Sequence, residues 1–140
     1  IFNRKNRRDL IDYINRYYHN NEQDFKLEIT SETLQKLIGN NKLEKIQKIF
    51  QNNISKIKLR RVNGNKSYID FHKDYAYKTL KIPLNSHREY KGGDLIYLSN
   101  GKIHIPKQNL GSMTIHDNSI IHGVSTITEG TRYSLFILDS

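Results

Sequence analysis

Residues 120–138, IIHGVSTITEGTRYSLFIL, decide the fold of this chain. The stretch contains two runs rich in β-branched and aromatic residues, 120–125 and 132–138, and each run has the length and composition of a short β-strand. Successive side chains of a strand point to opposite faces, so Arg132 and Ser134 are expected to share one face. The pattern therefore predicts strands, one of which presents a guanidinium and a hydroxyl to the same side.

The same period of two extends outward from this stretch over the second part of the chain. Turn pairs such as Asn100-Gly101 and Glu129-Gly130 separate the β-rich segments. We predict eight short strands, at residues 54–62, 67–72, 77–84, 94–98, 102–105, 112–116, 120–125 and 132–138. Eight evenly spaced strands without intervening helices predict a mainly β fold, a double-stranded β-helix of the jelly-roll or cupin-like kind.

The first 53 residues show the period of a helix instead. Apolar residues recur at steps of three and four in residues 8–18 and twice more before residue 51, which predicts two or three helices. Ser31 is the expected N-cap of the second helix. We expect a single domain over residues 1–140, in which a helical part (1–53) packs on a jelly-roll core (54–140).

Two histidines and one aspartate have the spacing of a metal site. His72 and Asp74 stand at positions i and i+2, so in an extended strand or at its end both side chains reach the same side. A third ligand can come from His122, which lies in an apolar context. Two histidines and one carboxylate suit a non-haem Fe(II) centre with open coordination positions. For either histidine taken alone, a buried side chain bonded to a backbone carbonyl is the alternative.

Arg132 adds the second half of the site. Its strand alternates so that the guanidinium points into the barrel, where a buried cation is costly unless it binds an anion. A carboxylate is the natural bidentate partner of a guanidinium, and Ser134 is placed to donate a further hydrogen bond. We therefore expect a small carboxylate-bearing ligand beside the metal. The alternative is a surface ion pair of Arg132 with Glu129 or Asp94.

The ordered motifs resemble those of the 2-oxoglutarate and Fe(II)-dependent oxygenases, specifically the prolyl-4-hydroxylase-like branch. The resemblance covers roughly residues 60–140, and its strongest part is the order and spacing of the motifs, with an arginine ten residues after the second histidine. The motifs are His72-x-Asp74, Gly92-Gly93-Asp94-Leu95, His122-Gly123-Val124 and Gly130-Thr131-Arg132-Tyr133-Ser134. The resemblance implies an enzyme that couples decarboxylation of 2-oxoglutarate to succinate with hydroxylation of a C–H bond.

The same resemblance implies a role for each matched residue. His72, Asp74 and His122 would bind Fe(II), and Arg132 with Ser134 would bind the C5 carboxylate of the cosubstrate 2-oxoglutarate. O2 is the second cosubstrate, and ascorbate is an optional reductant. The sequence departs from the animal-type prolyl hydroxylases at Val62 and Ile82, where a tyrosine often contacts the cosubstrate.

The substrate is indicated by position alone. Five residues close to the first two metal ligands, or in the loop after the following strand, are candidates for substrate contact: Tyr68, Asp70, Tyr75, Tyr77 and Arg88. A protein or peptide side chain, prolyl first, is the substrate class that the resemblance implies. We interpret His19, His87, His104 and His116 as ordinary structural or surface histidines.

The charge of the chain leaves a second substrate class open. The net charge is +9, and residues 1–62 hold 14 Lys+Arg and 7 Asp+Glu, whereas residues 63–140 hold 9 and 7. The surplus lies mostly outside the segment with the predicted ligands, so a solvated basic face is our first interpretation. A nucleic-acid-modifying oxygenase that binds phosphate through Arg4, Lys5, Arg7 and Arg8 is the alternative. A non-catalytic cupin-like protein that binds a metal or a small acid is the third hypothesis.

Composition excludes other chemistries. The chain has no cysteine, so disulfides, thiolate zinc sites and iron–sulfur clusters are excluded. No apolar run approaches the roughly 18 residues that span a bilayer, and residues 1–10 lack the apolar core of a signal peptide. We expect an intracellular protein, cytoplasmic or nuclear, without a membrane partner.

Overall fold

The computed structural model describes residues 1–19, 21–64 and 67–140, and for residues 67 and 68 it describes the backbone alone. The helices are α1 (Arg4–Tyr17), α2 (Ser31–Ile38) and α3 (Asn40–Ile49), and a short 3-10 helix spans His87–Glu89. The strands are β1 (Asp24–Ile29), β2 (Lys56–Asn63), β3 (Ser67–His72), β4 (Lys78–Pro83), β5 (Tyr90–Gly92), β6 (Leu95–Ser99), β7 (Lys102–His104), β8 (Thr114–Asp117) and β9 (Ile121–Asp139).

All strand pairs are antiparallel, and the strands form two sheets that share β9. The major sheet has the order β1-β2-β9-β4-β8. The first part of β9 pairs with β3, β5 and β6, and β6 pairs with β7, which makes the minor sheet. The two sheets face each other and enclose a barrel-like interior, as a jelly roll does. The predicted mainly β fold is confirmed.

The predicted turn at Glu129-Gly130 is wrong, because the last two predicted strands are one strand of 19 residues. Gly130 has a φ of +80°, and a Cβ there would collide with the carbonyl oxygen of Glu89 on the facing segment. The register of β9 against β5 shifts nearby, between Glu129 and Ile127. Glycine at position 130 thus allows the strand to continue from the minor sheet into the major sheet instead of turning back.

The N-terminal part contains the predicted helices and one strand that we did not predict. Thr30, not Ser31, is the N-cap of α2, because the Thr30 hydroxyl accepts a hydrogen bond of 3.1 Å from the Thr33 N–H. Strand β1 pairs with β2 along its whole length. The apolar residues Phe25, Leu27 and Ile29 of β1 stand at every second position, which is the spacing of a strand and not of a helix. The strand that pairs with them, β2, comes later in the chain.

The main hydrophobic core lies between the helices and the outer face of the major sheet. Leu10 and Ile14 of α1 are fully buried there, together with Leu34 of α2. The outer face of the sheet contributes Ile57, Leu59, Leu80, Ile82, Leu135 and Ile137. Each such side chain contributes roughly 1.5–3 kcal/mol by leaving water. The opposite face of the same strands is therefore free to carry polar side chains toward the barrel interior.

Across the described part of the chain, none of the helices has the length and hydropathy needed to cross a membrane.

Candidate metal centre and adjoining cavity

The three predicted metal ligands converge at one end of the barrel. His72 ends β3 and lies directly opposite His122 of β9, and Asp74 follows two residues after β3. The Asp74 Oδ1 lies 3.2 Å from His72 Nε2 and 3.4 Å from His122 Nε2. One nitrogen or oxygen from each residue lies within 4.8 Å of the other two. The predicted ligand set is thus brought together by strand pairing.

Hydrogen bonds fix the orientation of both imidazole rings. The His72 Nδ1 lies 2.7 Å from the carbonyl oxygen of Asp70, and the His122 Nδ1 lies 3.1 Å from that of Ile120. A protonated Nδ1 donates to each carbonyl, which turns the Nε2 of each ring toward Asp74. A metal-binding histidine is commonly held in this way. Both histidines thus form the backbone carbonyl bond of our alternative interpretation, and the same bond is the one that orients a metal-binding histidine.

The Asp74 carboxylate is held by two further side chains. Its Oδ2 accepts hydrogen bonds from the Thr79 hydroxyl at 2.7 Å and from the His116 Nε2 at 2.8 Å. The Tyr97 hydroxyl, 3.2 Å from His116 Nδ1, completes the chain of bonds. With Oδ2 occupied, Oδ1 is the oxygen left to face His72 and His122.

The ionisation of this site is set by its hydrogen bonds, and its donor atoms fit a metal cation. Burial raises the pKa of Asp74, but the hydrogen bonds from His116, His122 and Thr79 outweigh it and hold the pKa well below its usual range. Burial lowers the pKa of His122, while Asp74 and the Ile120 carbonyl raise it, and the net pKa lies above the usual value. Two imidazole nitrogens and one carboxylate oxygen fit the donor set of Fe(II), and the residues present therefore fit the metal.

Arg132 and Ser134 share the barrel face of β9 and are buried, as predicted. Arg132 is 5% exposed and Ser134 is 3% exposed. The arginine stem passes over Gly93, where an added Cβ would lie 3.4 Å from the Arg132 Cδ and 2.9 Å from the Ile127 Cγ1. The close contact that glycine avoids at position 93 is thus with Ile127, and the Arg132 stem packs beside it at ordinary contact distance.

Within the described residues, Arg132 has no ion pair, and Glu129 pairs with Lys91 at 3.2 Å instead. Burial, helped by the nearby Arg60 and opposed by Asp24, lowers the pKa of Arg132 to about 10. A buried guanidinium without a bonded carboxylate is costly. The alternative, a surface ion pair of Arg132 with Glu129 or Asp94, is therefore not formed. The buried Arg132 guanidinium is left able to bind an anion.

A cavity of about 390 Å³ opens beside the metal ligands. Its lining includes the three predicted ligands, together with Thr79, Lys81 and His116. Of the residues on the barrel face of β9, Phe136 and Leu138 line the cavity. Arg132 and Ser134 precede them in the strand and are not among the described residues that line it. Lys81 is the buried cation that does line it.

Lys81 and His116 are the residues that the sequence interpretation missed. Lys81 is 3% exposed, and its Nζ donates to Gln108 Oε1 at 2.8 Å. Ile82 is one of the two positions where related enzymes often have a tyrosine that contacts the cosubstrate. Its side chain faces the helices, and the side chain of the neighbouring Lys81 faces the barrel interior instead. Val62, the other such position, faces the barrel opposite Arg132. A lysine between apolar neighbours in β4 was the available signal for Lys81.

We had interpreted His116 as structural or as a surface residue, and it is buried against Asp74. Its pairing with Thr79 across β8 and β4 places it there. That pairing is a long-range contact, which the local pattern around His116 does not encode.

Among the proposed substrate residues with described side chains, the structure brings one to the cavity. Tyr75 is fully exposed and lines the cavity. Among the described residues, Asp70, Tyr77 and Arg88 do not line it, and Arg88 lies on the 3-10 helix near Gly130, far along β9 from the metal ligands. The side chain of Tyr68 is outside the described residues. Substrate contact by these residues stays a prediction.

The basic helix α1 lies on the side of the major sheet opposite to the cavity. Asn15 of α1 accepts a hydrogen bond from Arg61, which stacks on Tyr18 on that outer face. Arg4, Lys5 and Arg8 are exposed on α1. The α1 cations that we named for phosphate binding therefore lie on the other side of the major sheet from the cavity, and the nucleic-acid alternative stays a prediction.

Sequence comparison gives one similar protein among curated relatives. A PKHD-type hydroxylase of Nitrosomonas europaea is 30% identical over 90 residues, which are 55% of this chain and 40% of that protein. The chain thus spans about two fifths of the length of the curated relative that it matches. No protein-family model matches the chain.

Structural comparison gives oxygenases and prolyl hydroxylases among the similar structures. An oxidoreductase of the 2OG-Fe(II) oxygenase family from Burkholderia pseudomallei has a TM-score of 0.63 at 17% identity, over 82% of this chain and 64% of that one. A Trichoplax adhaerens prolyl hydroxylase in complex with a hypoxia inducible factor peptide has 0.73 at 12%, over 94% and 76%. A Pseudomonas putida prolyl-4-hydroxylase has 0.65 at 15%, over 98% and 86%.

These similarities confirm the resemblance that the motifs indicate. At identities of 12–17%, the structures establish that the chain has the jelly-roll fold of the 2-oxoglutarate and Fe(II)-dependent oxygenases. The sequence match to a PKHD-type hydroxylase supports the prolyl-hydroxylase-like branch.

Proposed function

We propose that this chain is an Fe(II) and 2-oxoglutarate-dependent hydroxylase that acts on a side chain of a peptide, with prolyl as the first candidate. The observation that carries the proposal is the convergence of Asp74 Oδ1 with the Nε2 atoms of His72 and His122. The fold and the similarity to a hydroxylase support it. A peptide occupies the Trichoplax prolyl hydroxylase, which supports the substrate class.

Each group of residues has a distinct task in this proposal. Fe(II) with 2-oxoglutarate supplies the chemistry, namely the oxidative decarboxylation to succinate that is coupled to hydroxylation of a C–H bond. Asp70 and Ile120 hold the ligand rings through their carbonyls, and Thr79 and His116 hold the carboxylate of Asp74. These bonds set the ligand geometry before the metal binds, which lowers the cost of binding.

The far end of 2-oxoglutarate is assigned to the buried cations. Arg132 offers a planar fork to the C5 carboxylate, and Ser134 adds a hydroxyl donor on the same face. Lys81 stands between them and the metal ligands along the barrel interior and contributes positive charge to the cavity. The dianionic cosubstrate would thus offset the charge that the barrel buries.

An anaerobic titration tests the proposal. Fe(II) followed by 2-oxoglutarate should give the weak visible charge-transfer band of the metal–oxoacid chelate, and admission of O2 should give succinate. The variant His72→Ala should keep its circular dichroism spectrum and lose the band. His104→Ala, which removes an exposed histidine of β7, is the matched control and should keep it.

Absence of the band from the folded wild-type chain would reject the proposal. A band without succinate under any substrate would instead assign the chain to the non-catalytic, cupin-like binding proteins.

A further inference from the structure

One wall of the metal cavity is formed by cations. On β2, Lys56, Lys58 and Arg60 alternate with Ile57 and Leu59, which face the helices. The three cationic residues, together with Lys26 of the neighbouring β1, line the same cavity as His72 and Asp74. We call this surface the lysine wall; it consists of Lys26, Lys56, Lys58 and Arg60.

Most of this positive charge is not neutralised by the protein. Arg60 is bonded through both Nε and Nη2 to the carboxylate of Asp24, at 2.8 and 2.5 Å. Within the described residues, Lys26, Lys56 and Lys58 have no ion pair, although Glu28 lies opposite Lys58 in the strand register. Three ammonium groups thus line the cavity without an ion pair among the described residues, and Glu28 is a nearby carboxylate that also has none.

The lysine wall lies close to the metal ligands across the sheet. Lys56 is opposite Leu138 of β9, and Leu138 is opposite Thr79, whose hydroxyl bonds to Asp74. Lys56 and Thr79 are two strand spacings apart, which is roughly 10 Å. Arg132 precedes Leu138 by six residues, roughly 20 Å along β9. A cosubstrate that points from the metal ligands toward Arg132 runs along β9 away from Lys56 and leaves that ammonium group without an anion.

We propose that the substrate is an acidic peptide, in which Asp or Glu residues beside the oxidised side chain bind Lys26, Lys56 and Lys58. This proposal rests on the proposed hydroxylase function. Lys26 and Lys56 are exposed and Lys58 is half-buried, so the wall runs from the rim of the cavity inward. A cavity of about 390 Å³ suits one inserted side chain, with the flanking residues of the peptide at the rim.

A peptide fits this wall better than a nucleic acid does. Asp24 and Glu28 stand on β1 among the cations, and they would repel a continuous row of phosphates. Discrete carboxylates can bind the lysines and avoid the two acidic residues. The basic helix α1, which would extend a phosphate track, lies behind the major sheet.

The test uses the chain loaded with Fe(II) and 2-oxoglutarate in the absence of O2. A pool of random-sequence synthetic peptides of equal length is passed over the immobilised chain, and the bound peptides are sequenced by mass spectrometry. Wild type should enrich peptides rich in Asp and Glu. Their affinity should fall about fivefold in the double variant Lys56→Gln/Lys58→Gln, because partly exposed ion pairs each contribute little.

The control variant is Lys36→Gln/Lys45→Gln, which removes the same charge from exposed positions of α2 and α3. It should bind the acidic peptides as wild type does. The chelate band should be unchanged in both double variants, and in turnover of a selected peptide Lys56→Gln/Lys58→Gln should raise KM with little change in kcat.

Enrichment of neutral or basic peptides, absence of enrichment, or tighter binding of a random single-stranded DNA pool would overturn the acidic-peptide proposal while the chelate band is intact. Absence of the chelate band from wild type would overturn the hydroxylase function and this proposal with it.

Discussion

The two faces of the major sheet come from the same strands and have opposite roles. The outer face carries Leu59, Leu80 and Leu135, which are fully buried against the helices. One residue away along each strand, Arg60, Lys81 and Ser134 face the barrel. The outer face contributes the stability, whereas the inner face carries buried charge, which is costly where it has no partner. Strand alternation alone separates the two roles.

The largest stability effect is expected on the outer face. Leu135→Ala should destabilise the chain by about 3 kcal/mol, because the side chain is fully buried and leaves a cavity between the sheet and the helices. Ser134→Ala, one position away on the inner face, is the matched control and should change the stability much less. Urea unfolding measures both. Equal losses for the two variants would show that the inner face also supports the fold.

An effect of similar size, in binding and not in stability, is expected at Arg132. Arg132→Met should weaken 2-oxoglutarate binding about 100-fold, since a buried charged partner of a carboxylate is removed. The unfolding midpoint should stay the same or rise, because the variant no longer buries an unpaired guanidinium. Titration of the chelate band measures the affinity.

Lys81→Met is the companion variant, with the same change of charge nearer to the metal ligands. A larger loss of 2-oxoglutarate affinity in Lys81→Met than in Arg132→Met would assign the C5 carboxylate to Lys81 instead.

The smallest of these effects is expected at His116. His116→Leu removes one hydrogen bond to the Asp74 Oδ2 and should weaken Fe(II) binding about tenfold, because the carboxylate is then held by Thr79 alone. His116→Gln restores an N–H donor and should recover most of the affinity. Competition with a coloured chelator gives the Fe(II) affinity. Equal affinity in His116→Leu and wild type would mean that Asp74 needs no second support.

Local patterns were sufficient for the parts of the molecule that repeat along the chain. The period of two predicted the inward direction of Arg132 and Ser134, and the i, i+2 spacing predicted that His72 and Asp74 reach one side. The structure confirms that His122 joins them, because β3 and β9 pair with the two histidines opposite each other.

Long-range pairing accounts for what was missed. Strand β1 exists because β2 pairs with it, 28 to 38 residues later, and the local sequence between two helices does not reveal that partner. His116 reaches Asp74 because β8 lies beside β4. The Glu129-Gly130 pair has the composition of a turn. At position 130, however, the facing segment leaves no room for a side chain, so the glycine is required there within a continuous strand. Tertiary contacts override the local preference at each of these points.

The single strand β9 carries the second metal histidine on the minor sheet and the proposed cosubstrate residues on the major sheet. The length of this strand therefore sets the distance between the candidate metal ligands and the proposed cosubstrate residues. Deleting one residue between Gly123 and Thr131 would reverse the alternation beyond the deletion, so that Arg132 and Ser134 would face the helices while His122 kept its place. A change of length in this interval would therefore separate the proposed cosubstrate residues from the candidate metal ligands.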